Sequence, residues 1–232
     1  MAVKFNVSYS EEKDISNYLN ALWKSPWTDY GKSHYEIGKK YLSIEYLDSL
    51  KNAPSKIKAV KIIKNYWKNT RSSTFTNDIE LLSKWFGNIL NEEGGTRIIK
   101  TLENAYQRKF PFKQINVYLT TLFSCPYNYE EKWFMVGRNS SLLWLLSTSL
   151  HELNHFMFYY YFNQNLENQG FSQSQREHLK EALAILTSDD SKENQEKPQV
   201  LPIQNFIKEN KDRSIDKIIE LVLENKLLEN IK

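Results

Sequence analysis

One cysteine, Cys125, in 232 residues rules out an internal disulfide and leaves a small apolar thiol as its simplest reading. A strong charge imbalance is missing as well. The net charge of +3 gives no electrostatic argument for a nucleic-acid partner. The opening residues Met1-Ala2-Val3-Lys4-Phe5-Asn6 lack the apolar core of a signal peptide, so a cytoplasmic location is the expectation. No apolar run reaches the roughly 18–20 residues a membrane span requires, and no internal repeat is visible. With 41% hydrophobic residues the chain has enough apolar surface for a real core.

From 140 to about 165 glycine and proline are absent. Leu142, Leu143, Trp144, Leu145, Leu146, Leu150, Leu153, Phe156, Met157 and Phe158 make this stretch apolar on nearly every side, as in a buried helix. In its middle stands His151-Glu152-Leu153-Asn154-His155, an HExxH pattern. A helix puts His151 and His155 on one face, one turn apart, with Glu152 beside them. Two neutral imidazoles so spaced can reach one ion at roughly 2.0–2.1 Å, with room for a third protein ligand and a water. The ion draws the pKa of that water toward roughly 7, and an adjacent carboxylate can take its proton. Alternatively, the two histidines could hydrogen-bond within an ordinary core. The chain has only four histidines, His34, His151, His155 and His178. A chance HExxH in such a length is an event of order one in a few hundred, and Glu152 in register favours the metal.

Downstream, Gly170 punctuates the chain, and a second helical pattern runs from about Ser172 to Thr187. Glu181 lies there at the edge of an apolar face formed by Leu179, Ala182, Leu183, Ile185 and Leu186, and Ala182 and Ala184 permit close helix packing. An HExxH helix followed by a glutamate on a later helix resembles the gluzincins, the thermolysin-like and aminopeptidase-like zinc peptidases. The resemblance covers about Phe112 to Asp190, and it rests mainly on HExxH. It implies one zinc per chain held by His151, His155 and Glu181, Glu152 as catalytic base, and a peptide or protein substrate. His178, Glu177 and Asp189 are further candidates for the third ligand. A metzincin pattern does not fit, because Phe158 and Tyr161 stand where its glycine and third histidine belong.

Two positions depart from the gluzincin pattern. No tyrosine or histidine follows Glu181 to stabilise an oxyanion. Tyr159, one turn beyond His155, is the leading candidate for that role, with His178, Tyr127, Tyr129 and Arg138 behind it. Four residues after Glu181, where thermolysin-like enzymes carry a carboxylate that orients a ligand histidine, stands Ile185; Asp189 and Asp190 are substitutes. The alternative function is therefore a catalytically inactive zincin-fold protein that binds or regulates. A plain helical scaffold is a further reading.

The expected fold is α+β, predominantly helical, with a zincin-like core in which a small sheet covers the HExxH helix, flanked by N- and C-terminal helices. It is expected as a single unit over 1–232: a mainly helical portion over 1–110, the metal-site core over 111–190, and a polar linker with C-terminal helix over 191–232. Ala2–Ser8 reads as a strand, followed by a helix capped by Ser10 and running to about Trp23. Helices are expected over Ser33–Lys51, Ser55–Lys68, Asn77–Asn91 and Thr96–Gln107, with Gly94-Gly95 as a separator. Gln114–Phe123 and Lys132–Val136 read as a hairpin, with Trp133–Val136 as a candidate edge strand beside the substrate cleft. Lys56, Lys58, Lys61, Lys64 and Lys68 form a solvated helix face. Helical periodicity returns over Ile203–Ile207 and Ile215–Leu228. Oligomeric state and substrate identity leave no trace in the sequence.

Overall fold

The computed structural model describes residues 3–24, 34–187 and 200–229. The chain divides into two compact units interleaved along the sequence. One comprises Met1–Lys4, Asn91–Lys113 and Leu142–Lys232; the other comprises Phe5–Leu90 and Gln114–Ser141. The architecture is mostly helical with one small sheet, the α+β class expected. Among the described residues no helix is long and apolar enough to cross a membrane.

The sheet runs through β1 (Lys4–Tyr9), β2 (Gln114–Thr120), β3 (Tyr127–Asn128) and β4 (Trp133–Gly137), ordered β1-β2-β4-β3. The expected hairpin of β2 with β4 is corrected here. The two strands pair in parallel, Asn116 opposite Trp133 and Thr120 opposite Gly137. β3 supplies the antiparallel partner, Tyr127 opposite Phe134 and Asn128 opposite Trp133. The intervening segment crosses over before the turn into β4, where Lys132 takes a left-handed φ of 55°. β4 therefore has neighbours on both sides and is not an edge strand.

The helices of the sheet-bearing unit are α1 (Glu11–Tyr18), α2 (His34–Gly38), α3 (Ile44–Lys51), α4 (Lys56–Thr70) and α5 (Phe75–Asn91). The Ser10 hydroxyl accepts from Lys13 N as expected, and the helix widens into a π-helical turn over Leu19–Lys24. The expected helix over Ser33–Lys51 is two helices. Lys39–Ser43 breaks it, and Ser43 caps α3 by accepting from Tyr46 N. Residues 25–33, with Ser25 and Pro26 between the expected helix to about Trp23 and the one from Ser33, lie outside the described residues. The five lysines of α4 are exposed, while Ala59, Ile63 and Trp67 on its other side join a core with Tyr18, Leu22, Leu47 and Leu50. Buried Asp14 fastens α1 to the end of β2. Its carboxylate accepts from Thr120 Oγ1 (2.7 Å), Thr121 Oγ1 (2.7 Å), Thr121 N (3.1 Å) and Tyr9 OH (3.1 Å).

The other unit contains α6 (Glu93–Tyr106), α7 (Leu142–Phe158), α8 (Gln164–Asn168), α9 (Gln173–Leu183), α10 (Leu201–Glu209) and α11 (Ile215–Glu224). Gly94-Gly95 lies inside the first turn of α6 rather than separating it from its predecessor. α7 packs against α6 and α9, and α10 packs against α9 and α11. Leu102, Leu153, Phe156, Met157, Leu179, Leu183, Ile207 and Val222 are buried in this unit. The expected long helix through Asn165 is α7, a π-helical turn over Tyr159–Asn163, and α8. Its first turn is not buried: Leu142, Leu143 and Trp144 are exposed, and burial begins at Leu145. Residues 188–199, with Asp189, Asp190 and most of the expected linker, lie outside the described residues.

Candidate metal centre

α7 is the platform of the site. Its apolar residues hold it in the unit's interior, and Ser149, wholly buried, satisfies its hydroxyl on the Leu145 carbonyl (2.8 Å). Asn154, one of the variable residues inside HExxH, is also fully buried. Its Oδ1 accepts from Tyr106 OH of α6 (2.8 Å), and its Nδ2 donates to Thr187 Oγ1 (3.0 Å). These bonds fix the rotation of α7 about its own axis, and with it the direction in which the histidines point.

α9 is started by a capping box. The Ser172 hydroxyl accepts from Gln175 N (3.2 Å), and the Gln175 side chain accepts from Ser172 N (2.9 Å). The helix then carries Glu181 to α7. Among the described residues, His151, His155 and Glu181 bring one ligand atom each within 4.8 Å of one another. His155 Nε2 lies 3.3 Å from Glu181 Oε1, and His151 Nε2 lies 3.7 Å from Glu181 Oε2. Donors about 2.1 Å from a tetrahedral ion are separated by about 3.4 Å, close to each of these two histidine–carboxylate distances. Two imidazoles and a carboxylate are also a donor set zinc accepts.

Burial is graded across the three. The His155 side chain is 2% exposed and that of Glu181 10%, whereas that of His151 is 26% exposed, so the cluster is open to solvent on the His151 side. Glu152, the next residue after His151 in α7, is buried. Burial holds the His155 imidazole well below the usual histidine range, and the nearby Lys180 ammonium adds to the effect against the opposing pull of Glu181. His155 is therefore neutral at physiological pH, the form that can ligate a metal.

The other sequence candidates have partners of their own. His178 is buried with Nδ1 tied to the Ser174 carbonyl at 2.7 Å, a local bond within α9. The Tyr159 hydroxyl, at the start of the π-helical turn, donates to Glu177 Oε1. Tyr127, Tyr129 and Arg138 belong to the sheet-bearing unit.

One residue of this site escaped the sequence reading. Lys180, adjacent to Glu181, has a side chain only 3% exposed, and its Nζ lies 2.7 Å from Glu177 Oε2 and 3.3 Å from Glu181 Oε1. A contact network thus runs from Tyr159 through Glu177 and Lys180 to Glu181 and the histidines. The i, i+3 spacing of Glu177 and Lys180 was the available signal, but on a helix that spacing usually marks a solvent-exposed pair. No family model, curated protein or solved structure matches this chain.

Proposed function

We propose that the chain is a zinc-dependent metallopeptidase of gluzincin type, with one zinc per chain, a zincin-like core and a peptide or protein substrate. The observation that carries this reading is the convergence of His151, His155 and Glu181 from two helices, with Glu152 next to the first histidine. Zinc held there would supply Lewis acidity, lowering the pKa of an attacking water and polarising a peptide carbonyl. The residues divide the remaining work. His151, His155 and Glu181 hold the ion; Glu152 accepts the water's proton and returns it to the leaving amine. The solvent-exposed side of His151 is the side from which a substrate can approach.

A second reading has its own support. The leading oxyanion candidate, Tyr159, has its hydroxyl engaged by Glu177, which favours a zincin-like protein that keeps the metal but binds or regulates rather than hydrolyses. Glu152→Gln separates the two. The peptidase reading expects this variant to retain zinc and to lose at least about a hundredfold in turnover of a peptide library, the general-base contribution. Wild-type protein that holds zinc and cleaves no member of the library supports the binding module instead.

A further inference from the structure

Lys180 has no part in that mechanism, and its position is costly for a charged group. An ammonium taken out of water needs compensation from opposite charge. Lys180 obtains it from two carboxylates, Glu177 Oε2 at 2.7 Å and Glu181 Oε1 at 3.3 Å. One of those carboxylates is a candidate metal ligand. The same Glu181 Oε1 that faces Lys180 also lies 3.3 Å from His155 Nε2, so the lysine and the metal site share one oxygen. The other Glu177 oxygen is held by the Tyr159 hydroxyl, which keeps Glu177 beside the lysine.

We propose that Lys180 is a resident counter-cation of the metal site, holding Glu181 in position when no metal is bound and opposing a divalent ion when one enters. The inference rests on the assignment of His151, His155 and Glu181 as the metal ligands, and it concerns how that site is regulated. Lys180 acts as a positioning residue through Glu181. In the metal-free chain Glu177, Glu181 and Lys180 carry −1 in total, and a dication brings the group to +1. Without the lysine the corresponding totals are −2 and 0. The first leaves two neighbouring like charges, Glu181 buried and Glu177 partly exposed, without their cation in the empty site; the second makes the loaded site neutral. Lys180 therefore stabilises the empty site and weakens the metal, which yields an exchangeable ion in a preformed site.

Two effects of removing Lys180 oppose each other in the loaded state. Loss of the hydrogen bond to Glu181 loosens a ligand, worth roughly 10–100-fold in metal affinity. Loss of a unit charge a few ångströms from a dication, at an effective dielectric of about 20, is larger and of opposite sign. Charge wins, and affinity rises.

The test compares full-length wild type, Lys180→Gln, Lys180→Arg and Glu177→Gln, measuring zinc affinity by chelator competition and the melting temperature of metal-free protein. Lys180→Gln is expected to bind zinc at least tenfold more tightly than wild type and to melt lower when metal-free. Lys180→Arg, which keeps the charge, should stay near wild type in both. Glu177→Gln, which removes a carboxylate that is partly exposed, should bind zinc at least tenfold more weakly. The opposite signs of the two Gln variants are the signature, and Glu177→Gln decides the matter if Lys180→Gln fails to fold. Unchanged or weaker zinc binding in a folded Lys180→Gln, or unchanged or tighter binding in Glu177→Gln, overturns the role of Lys180 and leaves the ligand assignment standing. Wild-type protein that takes up no zinc overturns the ligand assignment, and this inference with it.

Discussion

Glu181 and His155 make the sharpest demands at the residue scale. Glu181 is the only member of the cluster contributed by α9, and its carboxylate faces both histidines. Glu181→Ala should weaken zinc by more than about a hundredfold, since even groups that merely orient a ligand are worth roughly 10–100-fold. Chelator competition measures it, and unchanged affinity would move the third ligand to another residue. His155 predicts a pH dependence. Its folded pKa lies well below the ordinary value of 6.5, so between the two values the unfolded chain binds more protons than the folded one. Its contribution to stability is complete above about pH 6.5 and declines as the pH falls toward the folded value. Urea midpoints of metal-free protein should therefore drop between about pH 7.5 and 5.5, and His155→Gln should remove part of that slope.

At the element scale, what positions the site is the attachment of α7 to its neighbours. Tyr106→Phe deletes the donor to Asn154 Oδ1 and leaves a fully buried acceptor. The expected loss is about 1–3 kcal/mol of unfolding free energy, read from urea denaturation at constant m-value. A loss below about 0.5 kcal/mol would mean that this bond does not anchor the helix. Much of the element pattern was legible because its signals are local. The Ser10 cap and the Ser172 start of α9 depend on neighbours within three residues in the chain, and the α7 platform on a largely apolar stretch free of glycine and proline. The failures are of the opposite kind. The parallel register of β2 with β4 depends on a short strand, β3, taking the antiparallel position beside β4. The break between α2 and α3 depends on Ser43 capping a new helix, and burial of Lys180 depends on which neighbours pack against α9. Period and propensity do not encode such partners.

For the molecule as a whole, the residues of the proposed chemistry belong to one unit. His151, Glu152, His155, Tyr159, Glu177, Lys180 and Glu181 all fall within Leu142–Lys232, while the four-stranded sheet lies essentially in the other unit. The candidate site was readable because HExxH fixes three of its residues in five positions, and Glu181 followed from its place beside an apolar face. The charge network around it was not readable, because it joins residues whose burial only the folded chain defines. The central claim is that this unit holds a metal ion. It is tested most directly by elemental analysis of untagged protein purified without chelator, wild type beside a His151→Ala/His155→Ala double variant. The account predicts about one zinc per chain in wild type and none in the variant. No metal in wild type, with failure of added zinc to bind, would contradict it and leave the HExxH sequence as a coincidence within a helical core.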